Sequence, residues 1–410
     1  IYNFVKQKHA DMKFIERPQY LEQLKNVIGT PDIKIITGIR RSGKSKLMQA
    51  FKAYVELTFP AANIIHIDFN LPDYESLAEY HALYDYVKSA HRKGVDNFLL
   101  IDEIQNCTEF EKAINGLHAA ERYDIYLTGS NAFLLSSDLA TLFTGRSFEV
   151  KVYPFSFEEY TRFYEYTDTE NAFDRFVKEG GMSGSYLYHN EKDKYAYIAD
   201  IYRTLIARDI RQKYKIRNQV ILDKLSDFMM DNISNIGSLR NITASLNNCG
   251  LNVNNQTIGS YCKYLSQAFL FYPVKRYDIR GKKYLASSEK YYLADHSFRY
   301  AVLGTKNMDY GRVYENIVAL ELMRRGYEVY IGCLYKKEID FVAMRRNEKI
   351  YIQVSDDISS RETFERETSP LLKIQDAYPK ILIARTRHEE YPHEGIRVLN
   401  IAEWLIDLTT

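Results

Sequence analysis

Ile33-Lys34-Ile35-Ile36-Thr37-Gly38-Ile39-Arg40-Arg41-Ser42-Gly43-Lys44-Ser45 is an apolar run followed at once by a basic loop framed by two glycines. The run is too short for a helix and rich in isoleucine, so it reads as a buried strand. From Lys46 to Thr58 the apolar residues return at helical spacing. Strand, loop and helix in that order give the pattern G-x-x-x-x-G-K-[ST] its meaning. Gly38 and Gly43 let the backbone curl with its N–H groups pointing inward, a nest for anions at a helix N-terminus. Lys44 can place an ammonium on the β- and γ-phosphate oxygens of a nucleotide. The Ser45 hydroxyl is a hard oxygen ligand suited to Mg²⁺. The whole loop, Gly38, Ile39, Arg40, Arg41, Ser42, Gly43, Lys44 and Ser45, is the expected nucleotide-binding element.

Four similar runs lie around it: Ile64 to Phe69, Phe98 to Ile101, Ile125 to Thr128 and Phe148 to Val152. Helix-like segments separate them, Leu77 to His91 and Phe110 to Glu121 among them. Strands alternating with helices indicate a parallel sheet covered on both faces. The run Phe98-Leu99-Leu100-Ile101 ends in Asp102-Glu103, and a buried strand would deliver both carboxylates to the sheet's carboxyl edge. Asp102 can hold Mg²⁺ through water, and Glu103 can act as general base on the attacking water. The expected chemistry is Mg-ATP hydrolysis, with ATP and Mg²⁺ as the bound species. Ile125 to Thr128 runs into Gly129-Ser130-Asn131, so Ser130 or Asn131 is a candidate to sense the γ-phosphate; turn chemistry is the plain alternative. Arg146, in Thr144-Gly145-Arg146, is a candidate finger for transition-state charge, in cis or across a subunit boundary.

The 410 residues exceed one ordinary core. With 55 basic and 54 acidic residues the net charge is +1, so no global field points to nucleic acid or membrane. Cys107, Cys249, Cys262 and Cys333 are far apart and without a C-x-x-C pair, as expected of reduced thiols in the cytoplasm. Neither a membrane-length apolar run nor the apolar core of a signal peptide is present. We therefore expect an α/β fold: a P-loop parallel-sheet core over 1–160 and a helical region over 161–218. A winged-helix-like domain over 219–300, ending in the Tyr-rich run Phe269 to Leu285, and a small α/β domain over 301–410 follow. The Gly180-Gly181-Met182-Ser183-Gly184 cluster reads as a turn between helices in preference to a hinge.

Several stretches together resemble the prokaryotic AAA-type ATPases that carry a C-terminal domain of uncharacterised function. They are Phe14 to Leu21, Gly38 to Ser45, Leu100 to Gln105, Leu127 to Asn131, and Thr144-Gly145-Arg146 followed by Tyr153 to Tyr160. The resemblance spans essentially the whole chain and implies an additional-strand core with the phosphate-binding strand central. It also raises Asn131 and Arg146 above their plain readings. A proline expected after Gly180-Gly181 is replaced by Ser183, which puts the shape of that turn in question.

The last hundred residues resemble the PD-(D/E)xK nuclease core, with Glu315 on a helix and Asp340 on a strand. An active version needs a second strand carboxylate and a lysine beside the attacking water. Gln353 and Ser355 stand there instead, so nuclease activity is not expected, and a fold kept for structure or binding is. Glu315 and Asp340 retain the makings of a weak metal site. Two basic segments, 203–217 and 275–290, are candidates for DNA backbone contact if the fold joins them; two ordinary solvated faces are the alternative. The reader-helix candidate Asn254 to Gln267 holds only Lys263. Besides ATP, a protein partner and an oligomer fit the reading; a membrane does not. Its rivals are a slow nucleotide-dependent switch and a DNA-binding protein without intrinsic nuclease activity.

Overall fold

The structure is a computed structural model and describes residues 15–129, 143, 145–305, 308–335 and 337–407. Two compact units emerge. The first is Ile1–Gly38, Ser42–Val152 and Glu159–Thr167; the second is Ile39–Arg41, Tyr153–Glu158 and Asp168–Thr410.

The first unit is built on β1 (Ile33–Thr37), β2 (Asn63–Asp68), β3 (Asn97–Asp102), β4 (Asp124–Thr128) and β5 (Ser147–Lys151). They form one sheet in the order β2-β3-β4-β1-β5, every neighbouring pair parallel. β4 is thus inserted between β1 and β3, the additional-strand order that the resemblance implies. Side chains alternate across a strand, and here both faces are covered. Ile33, Ile35, Leu99, Ile101, Ile125 and Leu127 face one core, with Leu83 and Val87 of α3 (Tyr80–Ser89) and Ile114 and Leu117 of α4 (Phe110–Ala119). Ile36, Phe98, Leu100 and Tyr126 face the other, closed by α1 (Pro18–Lys25) and α2 (Lys44–Thr58) through Tyr20, Leu24, Met48, Phe51 and Val55. The one charged residue inside β1, Lys34, is fully buried and donates to Asp124 and the Thr30 carbonyl at 2.6 Å each.

The second unit begins with helices. After α5 (Phe157–Tyr164), which straddles the two units, come α6 (Thr169–Glu179) and α7 (Glu191–Thr204), the latter widening into a π-helical stretch, Leu205–Gln212. The Gly180-Gly181 cluster forms a closely packed turn after α6. Gly180 takes φ 68° to close α6, and a Cβ on Gly181 would fall 2.2 Å from the Phe155 carbonyl oxygen. The Gly181 N–H donates to buried Asp295 at 2.6 Å, and Ser183 opens a short 3₁₀ turn.

Then come α8 (Gln219–Asp231), β6 (Ile236–Gly237), α9 (Leu239–Asn248), α10 (Asn255–Gln267), and the hairpin β7 (Phe271–Asp278) and β8 (Lys283–Leu293). After α11 (Ser297–Leu303) and α12 (Tyr310–Arg324) follow β9 (Glu328–Leu334), β10 (Lys337–Arg345) and β11 (Glu348–Ser355). The chain closes with α13 (Arg361–Leu372), β12 (Lys380–Ala384), β13 (Tyr391–His393), β14 (Ile396–Asn400) and α14 (Ile401–Ile406). The boundary expected at residue 300 runs through a continuous sheet. β7 pairs in parallel with β9, giving nine strands in the order β13-β14-β12-β11-β10-β9-β7-β8-β6. The hairpin is therefore not a free wing; it extends the sheet of the last hundred residues. Asn316 of α12 reinforces the join by accepting from the Leu293 N–H at 2.7 Å and donating to its carbonyl at 2.9 Å. Among the described residues no helix is long and apolar enough to cross a membrane.

Candidate nucleotide site

Parallel pairing brings the ends of β1, β3 and β4 to one edge of the sheet, and the Gly38–Ser45 loop leaves from that edge. Only glycine fits at 38: φ is 142°, and a Cβ would fall 2.1 Å from the Val152 carbonyl oxygen. Arg41 (φ 67°) and Gly43 (φ 97°) also adopt left-handed backbone, which curls the chain before α2 starts at Lys44. Lys44 is buried, and its Nζ folds back across the loop to the Gly38 carbonyl at 2.9 Å. The Ser42 hydroxyl is buried without a hydrogen-bond partner. A buried orphan hydroxyl costs about 1–3 kcal/mol until it finds a partner, and a phosphate oxygen in the loop would supply one.

Opposite the loop, β3 ends in Asp102, buried, and Glu103, half-buried with φ 54°. Thr128, at the end of β4 and fully buried, joins them: its hydroxyl donates to Asp102 Oδ1 and accepts from the Glu103 N–H at 3.1 Å. The Gln105 amide donates to Glu103 Oε2, fixing the direction of that carboxylate. Asp102 and Ser45 offer hard oxygen ligands, the chemistry Mg²⁺ prefers.

Motif reading missed three residues. Arg17 meets Glu159 in a two-pronged pair at 2.6 and 2.9 Å, both side chains buried, and also donates to the Ser42 carbonyl at 2.9 Å. It thus braces the loop from outside, as only a planar fork can do for two partners at once. Thr128 and Gln105 are the other two; they lay within conspicuous stretches but outside the phosphate-loop pattern. The loop residues Ile39–Arg41 group with the second unit, where Arg40 meets Asp209 of the π-helical stretch through two contacts of 3.2 Å.

Ser130 and Asn131 lie outside the described residues. Arg146 is exposed and stands at the wrong edge for its own site. Its carbonyl accepts from the Ile33 N–H at 2.8 Å, at the start of β1, whereas the loop leaves from the strand's end. Five strand residues at about 3.3 Å each separate the two edges. Within one chain the Arg146 side chain therefore does not reach the phosphate loop.

Residues 30–161 match the family described as an AAA domain, and residues 170–309 match a Domain of unknown function (DUF8612). An uncharacterised protein of Haemophilus influenzae is 35% identical over 397 residues, covering 96% of this chain and 98% of that one. The chain belongs to the same family as that protein, with an AAA domain over residues 30–161. An uncharacterised protein of Methanocaldococcus jannaschii is 27% identical over 343 residues, 78% of this chain and 74% of the relative. Among solved structures, the Walker-type ATPase of Pyrococcus abyssi aligns with a TM-score of 0.49 and 17% identity, over 70% of this chain and 95% of that one.

In the second unit, Glu315 and Asp340 do approach each other, but an ammonium lies among them. Lys290 of β8 is buried with its Nζ 2.8 Å from Glu315, 2.7 Å from Glu338 and 4.0 Å from Asp340. The Tyr292 hydroxyl donates to Glu315 at 2.6 Å, and the Val354 N–H to Asp340 at 2.8 Å. Burial, and then repulsion from Glu315, hold Asp340 well above the ordinary carboxylate range. Burial also raises Glu315, against the pull of Lys290. Gln353 spends its amide on structure, accepting from the Asp340 N–H at 3.4 Å and donating to Glu367 at 3.0 Å. Counting Lys290 with the basic segment 275–290 is thus corrected, because its charge is spent inside the protein. Arg276 likewise turns in, to Cys333 Sγ at 3.1 Å. Lys275, Arg280, Lys282 and Lys283 remain exposed, as do Arg203, Arg208, Lys215 and Arg217 of the other segment.

Proposed function

We propose that this protein hydrolyses ATP with Mg²⁺ at the Gly38–Ser45 loop and uses its nucleotide state to rearrange the binding modules of the second unit. The observation that carries the reading is the Thr128 hydroxyl, which ties Asp102 and the Glu103 backbone together on the edge where the phosphate loop begins. In this reading the loop N–H groups, Lys44 and Ser42 bind phosphate, while Ser45 and Asp102 hold the metal. Held there, Mg²⁺ would supply positive charge to offset that of the phosphates. Glu103, aimed by Gln105, takes the proton of the attacking water as its oxygen bonds to the γ-phosphorus, and ADP leaves. Ser130 or Asn131 orients that water, and Arg146 serves the site of a neighbouring copy. The Arg40–Asp209 pair supports the coupling, since phosphate charge beside Arg40 competes with Asp209 for the guanidinium. A cytoplasmic setting accords with four cysteines that are all unpaired.

The test is steady-state phosphate release from the wild type, Lys44→Ala and Glu103→Gln. Turnover should fall by about a hundredfold or more in both variants. Equal background rates in wild type and Glu103→Gln, with ATP still bound, would replace the enzyme by a slow nucleotide-dependent switch.

A further inference from the structure

The second unit holds a group of cations that its ion pairs leave unneutralised. At the tip of the β7–β8 hairpin, Asp278 accepts from the Arg280 and Gly281 N–H groups at 3.2 and 3.1 Å, setting the turn that presents Arg280, Lys282 and Lys283 to solvent. The tip abuts the β9–β10 turn: the Ile279 N–H donates to Cys333 at 3.0 Å, and the Arg280 guanidinium stacks 5.2 Å from the Tyr335 ring centre. Just beyond, Lys337 donates to Ser369 of α13 at 2.7 Å and stands beside Lys373. Burial, and then the Lys373 charge, lower the Lys337 ammonium from its ordinary value. Among the described residues none of these five cations has a carboxylate within ion-pair distance, although the chain as a whole is nearly neutral.

Two tyrosines accompany them with their rings in water. Tyr335 is 70% exposed and Tyr284 is 61% exposed. Tyr284 is backed by Tyr330 and Tyr277, with ring centres 5.0 and 5.7 Å away, so its ring is supported on one side and open on the other. Exposed aromatic faces beside unneutralised cations are the two elements a single-stranded nucleic acid requires: stacking for unpaired bases and charge for the backbone. A duplex offers its phosphates to the cations but keeps its base faces occupied. The helix nearest to a groove reader, α10, brings one basic residue, Lys263.

We infer that the surface formed by the β7–β8 tip, the β9–β10 turn and the end of α13 binds single-stranded nucleic acid. Arg280, Lys282, Lys283, Lys337 and Lys373 take the phosphates, and Tyr284 and Tyr335 stack on the bases. The inference stands apart from the hydrolysis reading, because no residue of the nucleotide site takes part.

The test measures fluorescence anisotropy of the full chain with a labelled oligothymidylate and with a duplex of equal length, at several salt concentrations. The wild type should bind the single strand at least tenfold tighter than the duplex. Tyr284→Ala and Tyr335→Ala should each weaken single-strand binding by about tenfold, while the phenylalanine versions retain it. Lys282→Glu with Lys283→Glu should weaken it further and flatten its salt dependence. DNA-free phosphate release should be unchanged in all of them, so a failed hydrolysis reading would not be mistaken for a failed binding one. Wild-type affinity in the tyrosine variants, equal affinity for the duplex, or no binding at low salt would each overturn the assignment.

Discussion

The Thr128 hydroxyl makes two bonds, one to the carboxylate proposed to hold the metal and one to the backbone of the proposed base. Valine has nearly the same shape and can make neither. In Thr128→Val, Asp102 Oδ1 and the Glu103 N–H both lose a partner in a buried place, and each such loss costs about 1–3 kcal/mol. Both groups stand at the reacting edge, so part of that cost should appear as lost turnover as well as lost stability. We expect phosphate release to fall about tenfold or more, with a higher Mg²⁺ concentration needed for half-maximal rate. Thr128→Ser should restore most of both. A valine variant with wild-type turnover and Mg²⁺ dependence would leave Thr128 a structural residue only. Arg17 works at the same scale by a different means. Its fork is divided between Glu159 and the Ser42 carbonyl, so it braces the loop through the backbone and leaves the Ser42 hydroxyl to the loop's interior.

At the scale of elements, Lys290 joins β8 to α12 and β10 through Glu315, Glu338 and Asp340. Replacing it with methionine keeps the length of the side chain and removes the only nearby cation among the described residues that those carboxylates share. Breaking a buried pair in this way costs about 3–5 kcal/mol at neutral pH. The sign of the pH dependence follows from the carboxyls. Asp340 and Glu315 are already raised in the folded protein, and loss of the ammonium raises them further. A carboxyl raised by folding contributes stability below its unfolded value and loses it as pH rises through the folded value. Lys290→Met should therefore lose stability relative to the wild type as pH rises above the ordinary carboxylate range, and adding Glu315→Gln should recover part of it. Denaturant titration within and above that range measures both; a pH-independent deficit would remove the electrostatic account. The same cluster shows where sequence reading stops. Glu315 and Asp340 were legible because each sits in a recognisable local pattern. Lys290 was not, because its place depends on β8 pairing with β7 and β7 with β9, a register that no short stretch encodes. The β1 to β4 edge was legible for the opposite reason: loop, acidic strand end and polar strand end each announce themselves within a few residues. Tyr284 and Tyr335 read only as part of a Tyr-rich chain until the hairpin and the β9–β10 turn were seen to abut.

At the scale of the whole molecule, the position of Arg146 decides whether one chain suffices. It precedes β5, paired with the beginning of β1, while the phosphate loop follows the end of β1. Five residues at about 3.3 Å each exceed what an arginine side chain spans. If Arg146 stabilises transition-state charge, it does so on a neighbouring copy, and catalysis becomes a property of an assembly. Arg146→Ala should then be as inactive as Glu103→Gln, with turnover down by about a hundredfold or more. Each variant retains what the other lacks. In a mixed preparation, a site with Glu103 from the Arg146→Ala chain can receive Arg146 from the Glu103→Gln chain, and turnover should rise well above the sum of the two alone. The rise should disappear on dilution below the concentration at which copies associate. Full activity of Arg146→Ala by itself would remove the finger altogether. Inactivity without recovery on mixing, when light scattering shows that the copies do associate, would mean that Arg146 acts on the fold of β5 and not on a neighbour's phosphate.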